Sequence, residues 1–446
     1  MVKWFKTGSD IEVAEGNAEE MQSRYKKYQW SVFISLVLGY SFFYTTRLSL
    51  SVVKKPLIDN GLLTKEQLGM MGSALFFVYA FGKFTNGFLS DHANIKRFMS
   101  MGLFFSALIN IVLGFSDAAY VFIILWGLNG WFQSMGSAPS CVSIFQWFQP
   151  SIRGSRYSLW AGSHNIGEGI TFVLTSVVVS QLGWRYGFIS PGVLSLMVAI
   201  LIFYFLKDRP QTLGLPTPAV AFEEPCDLNT KGSTLSSQWY VLKSPVVWVI
   251  AASCAGMYVS RYAINSWGIL FLQEAKLYSL IEAGTVMAAY PIAGLIGAVM
   301  SGLISDKFFN SRRKMPATIY GLFNVGGMAL LFWGGQSKVL DAVALTLFGF
   351  GIGGLVVFLA GLMAADIMPK NAVGAVKGFI GLFAYAGASA QEYISSVLIH
   401  ITEVGGIKVY DFSNAIYFWI LSGVGSMFLV GLVRDRKIQF NRPHTN

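Results

Sequence analysis

Residues 28–53 read YQWSVFISLVLGYSFFYTTRLSLSVV, an apolar and hydroxyl-rich run whose one formal charge is Arg47. A helix needs about 20 mostly apolar residues to cross a bilayer core, so this stretch is long enough to span. Comparable runs recur near 66–90, 98–116, 119–147, 155–183, 186–206, 244–273, 281–305, 316–335, 338–367, 371–401 and 411–434. Together they predict an all-α membrane protein with twelve transmembrane helices. Composition agrees: 54% of the 446 residues are hydrophobic and 13% are charged, where soluble domains carry about 25% charged residues. With a mean hydropathy of +0.54, secreted, disordered and nucleic-acid-binding globular classes are excluded. Cys141, Cys226 and Cys254 have no CxxC spacing, hence neither a disulfide framework nor a zinc site. Residues 1–27 are polar and precede a full-length span, which does not fit a cleavable signal peptide.

Residues 207–243 form the one long interior linker, with Pro210, Pro216, Pro218 and Pro225. The expected organisation is an N-terminal segment (1–27), a six-helix half (28–206), the linker (207–243), a second six-helix half (244–434) and a tail (435–446). With both termini inside, 22 Lys and Arg fall on cytoplasmic segments. Seven fall outside: Lys54, Lys55, Lys65, Arg185, Lys276, Lys338 and Lys408. That asymmetry satisfies the positive-inside rule. The formal charge of +10 therefore sets topology and is not the footprint of a nucleic-acid partner.

The halves repeat. Tyr44-Thr45-Thr46-Arg47 in the first span has a counterpart, Tyr258-Val259-Ser260-Arg261, in the seventh. Gly87-Phe88-Leu89-Ser90-Asp91 closes the second span and Gly302-Leu303-Ile304-Ser305-Asp306 the eighth. Arginine and aspartate lie 44 residues apart in one half and 45 in the other. A duplicated half implies a substrate site near the midplane, between the repeats. Each aspartate precedes a basic cluster containing Arg97 or Arg313. Such an acid can cap the next helix and pair with a base across the interface, so Asp91, Asp306, Arg97 and Arg313 read as gating residues.

Arg47, Lys83, Arg261 and Lys377 lie inside apolar spans, each costing about 2.5–3.5 kcal/mol at a helix centre. The interior acids are Glu168 and Glu392, so four bases face two acids. Structural ion pairs and snorkelling explain part of this, but the matched arginines favour an anion site. Two planar five-donor forks suit a tetrahedral oxyanion gripped from both sides, which points to phosphate or a phosphate ester. At about 7 Å and an effective dielectric of 20, bare guanidiniums repel by roughly 2.4 kcal/mol. A ligand-free carrier with two bare arginines would then resist closing, and exchange would follow.

Tyr40 and Tyr44 share a helical face with Arg47, Tyr79 precedes Lys83 by four residues, and Tyr258 precedes Arg261 by three. Any one suits ordinary helix packing; clustered at basic positions, their hydroxyls suit a sugar or phosphate. His164 reads as a ligand-lining or relay group, or as a plain interhelical hydrogen bond. Glu168, four residues on, is left between a relay, a partner for Lys377 or Lys83, and a structural bond. Gly349, Gly351, Gly353 and Gly354 suit close helix packing. The sequence holds no nucleophile triad, metal cluster or P-loop, so neither an enzyme nor a cofactor is expected.

These residues resemble those of the organophosphate:phosphate antiporters of the major facilitator superfamily, over essentially all twelve spans. The likeness is carried by Gly39-Tyr40 through Arg47, Tyr79 through Phe84, Ser90-Asp91, Trp160 through Gly167, Ser260-Arg261-Tyr262, Met368-Pro369-Lys370 and Gly378 through Tyr385. It implies the two-half facilitator fold, phosphate binding by Arg47 and Arg261, and a site lined by Lys83 and His164. Tyr40, Tyr44, Tyr79, Tyr258 and Tyr385 then fall where the family places pocket tyrosines, and Lys377 adds one uncompensated base. Glycerol-phosphate members carry acids where this chain has Ser266 and Pro291, and the His164-Asn165 stretch looks more like the hexose-phosphate members. The expectation is exchange of a sugar phosphate, glucose 6-phosphate first, for inorganic phosphate, by a monomer in a bacterial inner membrane. Two alternatives stand beside it: a membrane sensor that binds sugar phosphate without carrying it, and a symporter of neutral sugars.

Overall fold

The computed structural model describes residues 3–12, 18–90, 92–222, 243–309, 312–363 and 373–433. Helices stand at all twelve expected positions. The first half holds α1 (Ala18–Asp59), α2 (Lys65–Ser90), α3 (Ile95–Leu113), α4 (119–147), α5 (150–182) and α6 (Tyr186–Phe205). The second holds α7 (Pro245–Glu274), α8 (280–308), α9 (Lys314–Trp333), α10 (338–362), α11 (Val373–Leu398) and α12 (Ser413–Leu432). Ten of these runs are long and apolar enough to cross a membrane. Of the other two, α4 is broken by a turn at 134–136, and α11 carries Lys377 and Glu392.

Local chemistry explains the ends. The Asn94 side chain accepts the Arg97 N–H and starts α3, and Ser279 with Glu282 forms a capping box at α8. Both satisfy N–H groups that a helix start leaves unpaired. Two results differ from the sequence expectation. Helix α1 runs on to Asp59, so Lys54 and Lys55 are helical and not part of an external loop. Between α11 and α12 an antiparallel hairpin forms, β1 (His400–Val404) with β2 (Ile407–Asp411). Gly405 and Gly406 turn it at φ +61° and +83°, the left-handed pair that a tight hairpin requires.

Helices α8 and α10 pack backbone to backbone. A Cβ on Gly353 would overlap the Gly294 carbonyl, and one on Gly349 the Tyr290 carbonyl. Gly353→Leu is therefore expected to destabilise the protein by about 2–3 kcal/mol through overpacking. A variant as heat-stable in detergent as the parent would refute that approach. Phe81, Phe115, Leu303 and Phe428 are each more than half exposed, as befits side chains facing lipid.

The hairpin marks one end of the bundle, and the linker the other. Bonds between the halves gather toward the hairpin end. Lys55 pairs with Glu274, the Lys65 ammonium donates to the Ser396 carbonyl at 2.9 Å, and Ser73 meets Ser389 at 2.9 Å. Lys408 of the hairpin donates to the Ile58 carbonyl at 2.8 Å, tying β2 to the end of α1. Contact continues to mid-bundle, where Tyr79 of α2 packs on Tyr385 of α11, ring centres 4.4 Å apart.

Candidate anion-binding site

Arg47 is placed by a polar shell behind it. The Gln133 amide of α4 donates to Thr46 and Ser106 hydroxyls, both at 2.8 Å. Its oxygen then accepts from Arg47 Nε at 3.3 Å. The guanidinium lies 4.6 Å from the Tyr44 ring centre and 4.5 Å from that of Tyr79. Its Nη1 and Nη2 are buried without a hydrogen-bond partner among the described residues. An unpaired buried donor costs about 1–3 kcal/mol, more when charged, so this fork is held ready for an acceptor.

Arg261 is in the opposite condition. Its Nη2 donates to Glu168 Oε1 at 2.7 Å and its Nε to the Tyr290 hydroxyl at 3.2 Å. The Asn265 amide donates to the same Glu168 oxygen at 3.2 Å. Glu168 is fully buried, and its Oε2 has no partner among the described residues. The expectation of two bare arginines is thereby corrected, because the carboxylate from α5 reaches across to α7 and neutralises one of them. Neither Lys83 nor Lys377 is its partner.

The second interior acid is taken the same way in the opposite direction. Glu392 of α11 pairs with Lys54 of α1 at 3.1 Å, both side chains buried. Lys54 Nζ also donates to the Ser266 hydroxyl at 2.6 Å and sits 3.5 Å from the Trp267 ring centre. Gly72 of α2 leaves the room that the Glu392 carboxylate occupies. Arg47, Ser51, Tyr262, Ser266 and Glu392 line a common cavity of about 20 Å³, space for a water or so.

Between the charges runs a belt of rings. Tyr40 packs against Tyr44 at 5.5 Å, and Tyr44 against His164 at 5.4 Å. Tyr258 meets Tyr385 at 5.4 Å and Tyr262 at 5.9 Å. The half-buried Lys83 places its ammonium 5.0 Å from the Tyr385 ring centre. His164 Nδ1 bonds the Ala161 carbonyl of its own helix, and among the described residues no hydrogen bond joins it to Glu168. Thus Arg47, Arg261, Lys83, His164, Tyr40, Tyr44, Tyr79, Tyr258 and Tyr385 are brought to one region. Lys377 is not: it stays exposed, one turn nearer the linker end than Gly381.

Asp306 accepts from Arg313 at 2.8 Å, and Arg313 also donates to the Ser305 hydroxyl. This joins α8 to the start of α9. Arg97 donates to the Trp4 carbonyl at 2.8 Å. Asp91 lies outside the described residues, as do residues 368–370 and the tail 435–446. Lys54, Gln133, Asn265 and Tyr290 were not singled out as site residues from sequence, and Tyr262 entered only through the Ser260-Arg261-Tyr262 motif. For Lys54 a signal existed, since it stands seven residues after Arg47 and so on the same helical face.

The chain matches the profile of the Major Facilitator Superfamily over residues 36–391. It is 33% identical over 427 residues to a protein of Chlamydia pneumoniae named "probable hexose phosphate transport protein", covering 91% of this chain and 92% of that one. Identity is 34% over 392 residues to the membrane sensor protein UhpC of Salmonella typhimurium, covering 86% and 88%. It is 33% over 406 residues to the glycerol-3-phosphate transporter of Bacillus subtilis, covering 87% and 90%. Among solved structures, the inward-open xylose transporter XylE of E. coli superposes with a TM-score of 0.67 at 15% identity. That match covers 92% of this chain and 98% of XylE, and it bears on the fold alone.

Proposed function

The chain belongs to the organophosphate:phosphate antiporter family of the major facilitator superfamily, an integral multi-pass transporter family and not an enzyme family, and we propose that it exchanges a sugar phosphate for inorganic phosphate. Glucose 6-phosphate is the first candidate, because the relative from Chlamydia pneumoniae is named for hexose phosphate. The proposed setting is a bacterial inner membrane, with both termini cytoplasmic, the hairpin end outside, and one chain sufficient. The observation that carries this reading is the Arg47 fork, with two buried N–H edges open beside tyrosine faces. A tetrahedral phosphoryl group offers paired oxygens to such a fork, while the tyrosines line a path for the sugar. Arg261 would complete the grip once its carboxylate partner gives way. Bonds between the halves toward the hairpin end support a conformer closed outside and reached from the cytoplasm; rocking would reverse this.

The test is phosphate-loaded proteoliposomes of purified protein, followed for uptake of labelled phosphate and labelled glucose 6-phosphate. Exchange that each ligand competes away establishes the antiporter. Saturable binding without flux would instead favour a sensor, the role that the UhpC relative is named for. Transport indifferent to removal of the phosphate group would establish a neutral-sugar carrier.

A further inference from the structure

Glu168 and Arg261 come from opposite halves, α5 and α7, and meet at the level of the site. Their contact is single-point: one carboxylate oxygen receives Arg261 Nη2 and the Asn265 amide, and the other oxygen receives nothing among the described residues. The carboxylate is held there by backbone. Gly167 beside it packs directly on the Ser41 carbonyl of α1, and the Ser41 hydroxyl donates to the Ser163 carbonyl at 2.9 Å. Around the Glu168–Arg261 pair the ionisable groups are His164 on the same helix as Glu168, Tyr262 on α7, Tyr290 on α8, and Tyr44 on α1. Arg261 is the group positioned to balance the carboxylate.

We propose that Glu168 stands in for the ligand's phosphoryl group on Arg261, lets the halves close without cargo, and so gives the carrier net flux besides exchange. The proposal rests on the assignment of Arg261 to phosphate. With two bare arginines the closed, ligand-free site would hold two facing cations, and only an incoming anion would relieve them. With Glu168 in place that repulsion is largely cancelled, because a carboxylate of the first half meets the arginine of the second. A phosphoryl group with two oxygens in the plane of the fork displaces a one-point carboxylate. Exchange and ligand-free return then share one gate. The ligand class is any small phosphate or phosphate ester, and the extra activity is its movement down its own gradient with nothing carried back.

The experiment loads proteoliposomes with labelled phosphate and compares efflux into phosphate-free medium with efflux into medium holding saturating phosphate. Wild type is expected to release phosphate into phosphate-free medium at roughly a tenth of its exchange rate, a gap of one decade in rate constant. Glu168→Gln keeps the shape and removes the charge. It is expected to lower net efflux about tenfold relative to exchange and to tighten phosphate binding by the solubilised protein several-fold, since the internal competitor is lost. Glu168→Asp, which keeps the charge, should retain a net component. Wild-type efflux that is absent without external phosphate overturns the proposal, whatever the variants do. So does a Glu168→Gln protein whose ratio of net flux to exchange, or whose phosphate affinity, matches wild type. If exchange itself is missing while phosphate binds, the antiport reading fails on its own, and the affinity comparison still decides the role of Glu168.

Discussion

Arg47→Lys is expected to lower phosphate exchange about a hundredfold, though the positive charge is kept. The guanidinium presents two adjacent N–H edges in one plane, between the faces of Tyr44 and Tyr79, with Nε already committed to Gln133. A lysine ammonium has neither the plane nor the reach to satisfy Gln133 and two phosphate oxygens together. Losing one charge-assisted bond costs about 1.5–3 kcal/mol, which corresponds to roughly ten- to hundredfold at each site. Initial rates of labelled phosphate exchange at equal protein density make the measurement. A lysine variant within a few-fold of wild type would show that charge alone suffices. Gln133→Leu should fall in between, because the fork survives without its support.

Removing one partner of the Lys54–Glu392 pair is expected to have the largest effect on stability. Both side chains are buried, and an ion left unpaired in such a place costs about 3–5 kcal/mol. Glu392→Leu should therefore lower thermal stability in detergent sharply, by leaving the Lys54 ammonium on Ser266 and Trp267 alone. Lys54→Met joined to Glu392→Leu should recover most of the loss, since replacing a buried pair by apolar residues is often neutral. A double variant no better than Glu392→Leu alone would mean that the pair is not what makes Glu392 necessary.

The fold was legible because span length and apolar composition report on the bilayer, which every helix meets separately. Arg47 and Arg261 were legible because duplication put the same arginine at the same depth in each half. Partnership was not. Glu168 had several bases within conceivable reach, and which one it meets depends on how the halves pack, a long-range fact absent from helix periodicity. Lys54 escaped for a local reason: Lys54-Lys55-Pro56 reads as the end of a span, whereas Pro56 falls inside the last turns of α1. The hairpin escaped because residues 400–411 adjoin apolar runs on both sides, although Gly405-Gly406 between β-branched residues was its signal.

The two buried ion pairs that join the halves among the described residues also constrain how the chain is made and recombined. The linker at 207–243 invites exchange of whole halves between relatives, yet neither half is self-sufficient. Lys54 and Glu168 leave the ribosome in the first half, and their partners Glu392 and Arg261 arrive only with the second. In the assembled protein, the ion-pair partners of Lys54 and Glu168 among the described residues both lie in the second half. A chimera that kept residues 1–206 and took its second half from a protein lacking either partner would leave a buried charge without that partner. Beyond the covalent connection, each half carries a buried charge that the other must answer.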